Sequence, residues 1–175
     1  GNPLVDIVIK ASESDLIEVI YLFLVIEFLR FFKIKDLKSI LIFLLSMILM
    51  IVFTDQSSNF FKEFFERLRP CHNPELIEII RIVKDGCGGL YGFFSAHAAN
   101  TFAFASFIYF LTPNENNYKR TSFLLFIWAV IISYSRIYIG VHFPLDIIIG
   151  AIYGLLSGYL FHKPFLYFRK SKLIL

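Results

Sequence analysis

From Ser39 to Phe53 the chain runs fifteen residues without a charge, nearly all of them Ile, Leu, Met, Phe or Val. A run of this kind suits a helix that crosses a bilayer, and a soluble domain of this size has too little interior to hide several of them. The composition agrees: 57% of the 175 residues are hydrophobic and the mean hydropathy is +0.68, far above an ordinary soluble domain. Similar runs give five candidate helices, near Asp15 to Phe32, Leu37 to Phe53, Phe93 to Leu111, Phe123 to Ile139 and Pro144 to Phe161. No repeat, low-complexity tract or long polar linker divides them. The expected fold is an all-α, polytopic membrane helical bundle, one domain over residues 1–175.

The net charge is +3, and the basic residues gather at span ends. No aromatic-interleaved basic patch is present, so nucleic-acid binding is excluded. No obligate protein partner is evident either. Arg30, Lys33, Lys35 and Lys38 surround the first turn between spans, Lys119 and Arg120 follow the third span, and Arg169, Lys170 and Lys172 close the chain. With five spans these three groups fall on one side, which the positive-inside rule makes cytoplasmic. The Thr54 to Gly92 segment and the Tyr138 to Phe143 turn then face outward. The chain opens at Gly1 with no basic stretch and small-residue cleavage site, so no signal peptide is expected.

The outer segment, about forty residues long, has the length of a functional loop. It holds both cysteines, Cys71 and Cys87, in a compartment where a disulfide persists. A bridge closing so short a loop stabilises by about 3 kcal/mol on the chain-entropy model. The other reading is two free thiols.

Three stretches on this outer side carry polar groups that a lipid-embedded protein keeps only at a cost. In Lys62-Glu-Phe-Phe-Glu-Arg-Leu-Arg69-Pro70, a helix continued from Asp55 would put Lys62 and Arg69 on one face, about 10 Å apart along the axis. Pro70 disfavours helical geometry at Arg69, which would close that helix. In Gly92-Phe-Phe-Ser95-Ala96-His97, Ser95 suits a helix N-cap that leaves free backbone N–H groups for an anion, with His97 in the first turn. In Ser135-Arg136-Ile-Tyr-Ile-Gly-Val-His142-Phe-Pro144-Leu-Asp146, Pro144 suits the first helical position and brings Asp146 within reach of His142. A carboxylate on one imidazole nitrogen fixes the tautomer and leaves the other as a basic lone pair. Taken singly, each stretch has a plainer explanation: snorkelling cations, a structural histidine, or an interfacial charge.

Together they resemble the type 2 phosphatidic acid phosphatase (PAP2), or lipid phosphate phosphatase, family in its bacterial membrane branch, which includes undecaprenyl-diphosphatase, phosphatidylglycerophosphatase and lipid A phosphatase relatives. The family shares a core with vanadium haloperoxidases and glucose-6-phosphatase. Its pattern reads Lys, six residues, Arg-Pro; then Pro-Ser-Gly-His; then Ser-Arg, five residues, His, three residues, Asp. Lys62 to Pro70 and Ser135 to Asp146 match at full spacing, and the middle motif stands as Phe94-Ser95-Ala96-His97. Nine matched positions put coincidence below about one in a billion. Phe94 and Ala96 depart from the pattern. Ala96 keeps its backbone N–H but lacks the freedom of glycine, so altered tuning with activity retained is expected. The family usually has six spans where five are visible here, so either a segment precedes Gly1 or a first helix is absent.

The resemblance implies a metal-independent phosphatase of a membrane lipid phosphate, with no cofactor. It assigns His142 as nucleophile, Asp146 as its orienting base and His97 as the acid for the leaving oxygen. Lys62, Arg69, Ser95, Ala96 and Arg136 would hold the phosphoryl oxygens. Phosphoryl transfer is mainly positioning and charge neutralisation, and these groups supply both. Zinc held by His72, His97, His142 and Asp146 is the rival for the same residues. Their spacing differs from that of known zinc helices, and three facing cations would repel the ion. The expected setting is the bacterial inner membrane, with the site facing the periplasm. The expected substrate is undecaprenyl diphosphate. The alternatives are lipid A at its 1-phosphate, phosphatidylglycerol phosphate or phosphatidic acid, and, in a different class, an anionic-lipid binder or transporter without hydrolysis.

Overall fold

In hydrocarbon every backbone N–H and C=O must be paired within the protein, and a continuous apolar run of this length does so within itself as a helix. The computed structural model describes residues 37–80, 86–111 and 116–170. Within them lie helices α1 (Leu37–Phe65), α2 (Ala96–Leu111), α3 (Asn116–Tyr138) and α4 (Pro144–Lys170), with a short 3₁₀ turn at Pro70–His72. The candidate span Asp15 to Phe32 falls outside the described residues. The chain divides into two compact units, Gly1–Leu45 and Ser46–Leu175, with the boundary inside α1. The second unit contains every residue of the candidate site.

The helices are those expected from the apolar runs, with different ends. The apolar run gives a span ending near Phe53, and the helix continues past it to Phe65. Its polar residues are used inside the second unit. Thr54 Oγ1 donates to the Met50 carbonyl at 3.0 Å and contacts the Asn100 side chain. Ser58 donates to the Phe94 carbonyl at 2.8 Å, and the Tyr153 hydroxyl donates to Ser57 at 2.7 Å. These hydroxyls bond carbonyls and side chains, several of them from elsewhere in the chain, so they do not compete for the backbone N–H groups of α1. At its other end α4 runs through Pro164 to Lys170.

The close contact in the second unit is between α2 and α4. Gly150, Gly154 and Gly158 recur at every fourth position of α4, so they share one face. That face meets Ser95, Ala99 and Ala103, spaced the same way along α2. A methyl group built at Gly154 would lie 2.3 Å from the Ala99 carbonyl oxygen, and one at Gly158 would lie 2.4 Å from that of Ala103. Small residues on both helices let the backbones approach this closely, which is how membrane helices associate where burial from water gives no drive. A hydrogen bond from Ser106 to the Leu155 carbonyl, at 2.8 Å, crosses the same seam.

Three of the described helices are long and apolar enough to cross a membrane: Leu37–Phe65, Arg120–Tyr138 and Pro144–Tyr167. Their outer faces, including Leu49, Val52, Val130, Ile131, Ile152 and Leu160, are exposed from the protein. In a bilayer such faces contact lipid, and the molecule is a membrane protein. The 16-residue α2 is shorter and largely enclosed, with Ala98, Ala99, Ala103, Ala105 and Phe107 fully buried.

Candidate active site

Successive helices alternate in direction, so the C-terminal ends of α1 and α3 and the N-terminal ends of α2 and α4 share one end of the second unit. Lys62 lies in the last turn of α1, Ala96 and His97 open α2, Arg136 closes α3, and Asp146 occupies the first turn of α4. The motif residues therefore converge although 84 positions separate Lys62 from Asp146.

At the start of α4, Pro144 takes the first helical position, where its missing N–H costs nothing. The Asp146 carboxylate is fully buried and folds back on the preceding turn. Its Oδ2 accepts the Phe143 backbone N–H at 2.9 Å and lies 3.5 Å from His142 Nδ1. That second distance is longer than a good hydrogen bond. The other oxygen, Oδ1, is ion-paired with Arg67.

Arg67 is a member of the site that the sequence reading missed. It belongs to no matched motif position, and the expected helix through Arg69 would turn it away from the site. The backbone instead leaves the helix after Phe65, at Glu66, which has a φ of 46°. Residues 67–69 then run beside residues 90–92: Arg69 N–H donates to the Leu90 carbonyl at 3.1 Å and Gly92 N–H to that of Arg67 at 2.9 Å. In extended chain, residues two apart face the same way, so Arg67 and Arg69 point together. The expectation that Lys62 and Arg69 share a helical face is thereby corrected. Arg69 has extended backbone, φ −64° and ψ 154°, as the following Pro70 demands.

The glycine-rich segment wraps the Arg69 side chain. Arg69 Nε donates to the Tyr91 carbonyl at 3.1 Å and Nη1 to that of Cys87 at 2.9 Å. Gly88, with φ +72°, comes so close that a methyl group there would lie 3.2 Å from Nη1, so glycine serves both the backbone turn and the space. A disulfide joins Cys71 to Cys87, with Cα atoms 6.1 Å apart. Cys71 N–H donates to the Gly140 carbonyl at 3.1 Å. The bridge thus ties the Arg69 cradle to the turn that carries His142.

Ser95 is the N-cap of α2: its hydroxyl accepts the Ala98 N–H at 3.4 Å. Its own N–H donates to the Asp146 carbonyl at 3.2 Å, which joins the entrances of α2 and α4. Among the described residues Glu66 is the only non-glycine residue with positive φ, so the Ala96 backbone does not need glycine. Phe94 serves packing: it is buried against Phe61 and Tyr153, with ring centroids 5.7 and 4.9 Å away. His97 is exposed at the helix start. Arg136 is buried, with Nε donating to Ser135 Oγ at 3.1 Å, and its carbonyl accepts the His142 N–H at 3.3 Å.

Burial pushes the His142 pKa well below the ordinary histidine value. The charges of Arg69, Lys62 and His97 push it the same way, and a hydrogen bond to the Gly92 backbone opposes them. The imidazole is therefore held neutral, with a lone pair, among cations that attract an anion. Among the described residues no group of three His, Cys, Asp or Glu side chains gathers as a metal site would require.

The chain is 39% identical over 145 residues to a Porphyromonas gingivalis protein named lipid A 4'-phosphatase, covering 81% of this chain and 58% of that one. It is 38% identical over 128 residues to a Bacteroides thetaiotaomicron protein of the same name, covering 71% and 55%. The chain thus spans a little over half the length of these curated relatives. The crystal structure of Aquifex aeolicus LpxE superposes with a TM-score of 0.60 at 25% identity, over 93% of this chain and 88% of that one. The PAP2 superfamily pattern matches residues 39–170, and the chain belongs to the PAP2 superfamily.

Proposed function

We propose that this chain is a lipid A phosphatase that removes the 4'-phosphate at the outer face of the bacterial inner membrane through a phosphohistidine on His142. The observation that carries the reading is the buried His142 with the Asp146 carboxylate 3.5 Å behind it and the charges of Arg69, Lys62 and His97 around it. A neutral imidazole is a nucleophile. Lys62, Arg69, Arg136 and the first N–H groups of α2 supply charge for the phosphoryl oxygens. In the first step the imidazole nitrogen away from Asp146 bonds to phosphorus, the bond to the lipid oxygen breaks, and His97 protonates that oxygen. In the second, His97, now neutral, takes a proton from a water that attacks the phosphohistidine, the P–N bond breaks, inorganic phosphate leaves, and both histidines are restored. A binder without hydrolysis has no use for a carboxylate behind His142.

Lipid A replaces the undecaprenyl diphosphate expected from the sequence. The motifs recognise a phosphoryl group and are silent on the tail, so the preference rests on the relatives named lipid A 4'-phosphatase. Their name also moves the expected position of attack from the 1- to the 4'-phosphate.

The test is phosphate release from lipid A, undecaprenyl diphosphate, phosphatidylglycerol phosphate and phosphatidic acid, with EDTA present and His142→Ala as the control. Release from lipid A by the wild type and loss of at least ~10³-fold in the variant, with inhibition by vanadate, is the expected outcome. Substantial turnover by His142→Ala sinks the mechanism. Release from another lipid alone sinks the substrate.

A further inference from the structure

Arg67 lies outside the family motif, yet it makes the ion pair to the site's buried carboxylate. Its guanidinium stacks against two aromatic faces, 5.2 Å from the Phe93 ring centroid and 5.0 Å from that of Phe143. Its carbonyl is held by the Gly92 N–H at 2.9 Å. Backbone and side chain are both fixed, which is not the behaviour of a snorkelling surface cation. Asp146 then has each oxygen committed: Oδ1 to Arg67, Oδ2 to the Phe143 N–H and toward His142. The terminal torsion of an aspartate is otherwise broad, so a partner on each oxygen sets which one faces the imidazole.

We infer that Arg67 is a positioning residue for the His142–Asp146 pair: by holding Oδ1 it turns Oδ2 toward His142 Nδ1. The role rests on the phosphatase reading of the site and deepens it. Arg67 acts through Asp146, and the groups assigned to the phosphoryl oxygens are others. The charged and titratable groups around His142 come from every element packed there: Lys62 from α1, Arg67 and Arg69 from the extended segment, His97 from α2, Arg136 from α3 and Asp146 from α4. Removing the Arg67 charge leaves Asp146 un-neutralised beside His142, which raises the histidine's proton affinity.

The experiment compares wild type, Arg67→Gln and Arg67→Lys by steady-state phosphate release from lipid A across pH, with thermal unfolding as a check on folding. Arg67→Gln is expected to lower kcat about 10- to 100-fold, in the range for groups that orient a catalytic group. KM changes little, the acid limb of the pH profile moves to higher pH, and Arg67→Lys recovers part of kcat. An effect on KM alone would make Arg67 a substrate-binding residue, and unchanged kcat and pH profile would make it inert; either overturns the inference. If the wild type releases phosphate from no lipid, the proposed function fails, and NMR titration of the His142 imidazole still decides the role of Arg67. An upward shift in Arg67→Gln and none in Arg67→Lys supports it, and an unmoved titration in both refutes it.

Discussion

Replacing Gly154 with alanine puts a methyl carbon 2.3 Å from the Ala99 carbonyl oxygen, 2.9 Å from Ala103 N and 3.0 Å from Ala99 C. These contacts are to backbone, so no rotamer change relieves them. Restoring ordinary contact, about 3.5 Å, requires α2 and α4 to separate by roughly 1 Å. Overpacking of this kind costs about 1–3 kcal/mol, or about 2–4 °C in Tm for each kcal/mol in a chain of this size. The consequence for activity is larger. Gly154 lies eight residues after Asp146 on α4, and Ala99 lies two after His97 on α2; a close-packed seam transmits the displacement to the end that holds both. A misplacement of 1 Å costs catalysis about 10²-fold. The assay is phosphate release by Gly154→Ala beside Leu156→Ala, a truncation on the exposed face of α4, with Tm measured on both. Wild-type activity and Tm in Gly154→Ala would refute the claim that this seam sets the site.

The His142 pKa is lower folded than unfolded, so on acidification the unfolded chain takes up this proton first; stability should decline as pH falls below about 6.5 and be unaffected by this group above it. Tm against pH for wild type and His142→Gln should diverge only on that acid side, and parallel curves would contradict the assignment. Breaking the Cys71–Cys87 bridge by Cys87→Ser should cost about 3 kcal/mol and, by loosening the carbonyls that hold Arg69, raise KM more than it lowers kcat. Kinetics with and without reductant check this, and equal thiol labelling of the denatured protein before and after reduction would remove the bridge.

The apolar runs determined the helices, because a continuous apolar stretch long enough to span a bilayer can pair its own backbone groups only as a helix. The motif spacings named the candidate residues, because attack by a histidine requires a nucleophile with a carboxylate behind it and cations in front. The Gly150, Gly154 and Gly158 stripe was also open to reading from spacing alone, as a small-residue seam. Arg67 was not. Its role depends on the backbone turning at Glu66, and a helical reading of Lys62 to Arg69 hides it. The end of α1 was open only in part: a helix continued past Asp55 could be read from the sequence, but its stop at Phe65, and the partners that Asn100 and the Phe94 carbonyl give Thr54 and Ser58, come from elsewhere in the chain. What the sequence determined by itself was local: periodicity, capping, and which chemistry the side chains carry. What only the tertiary structure decided was which oxygen of Asp146 faces which partner and how closely α2 meets α4, because both depend on contacts between residues far apart in the chain.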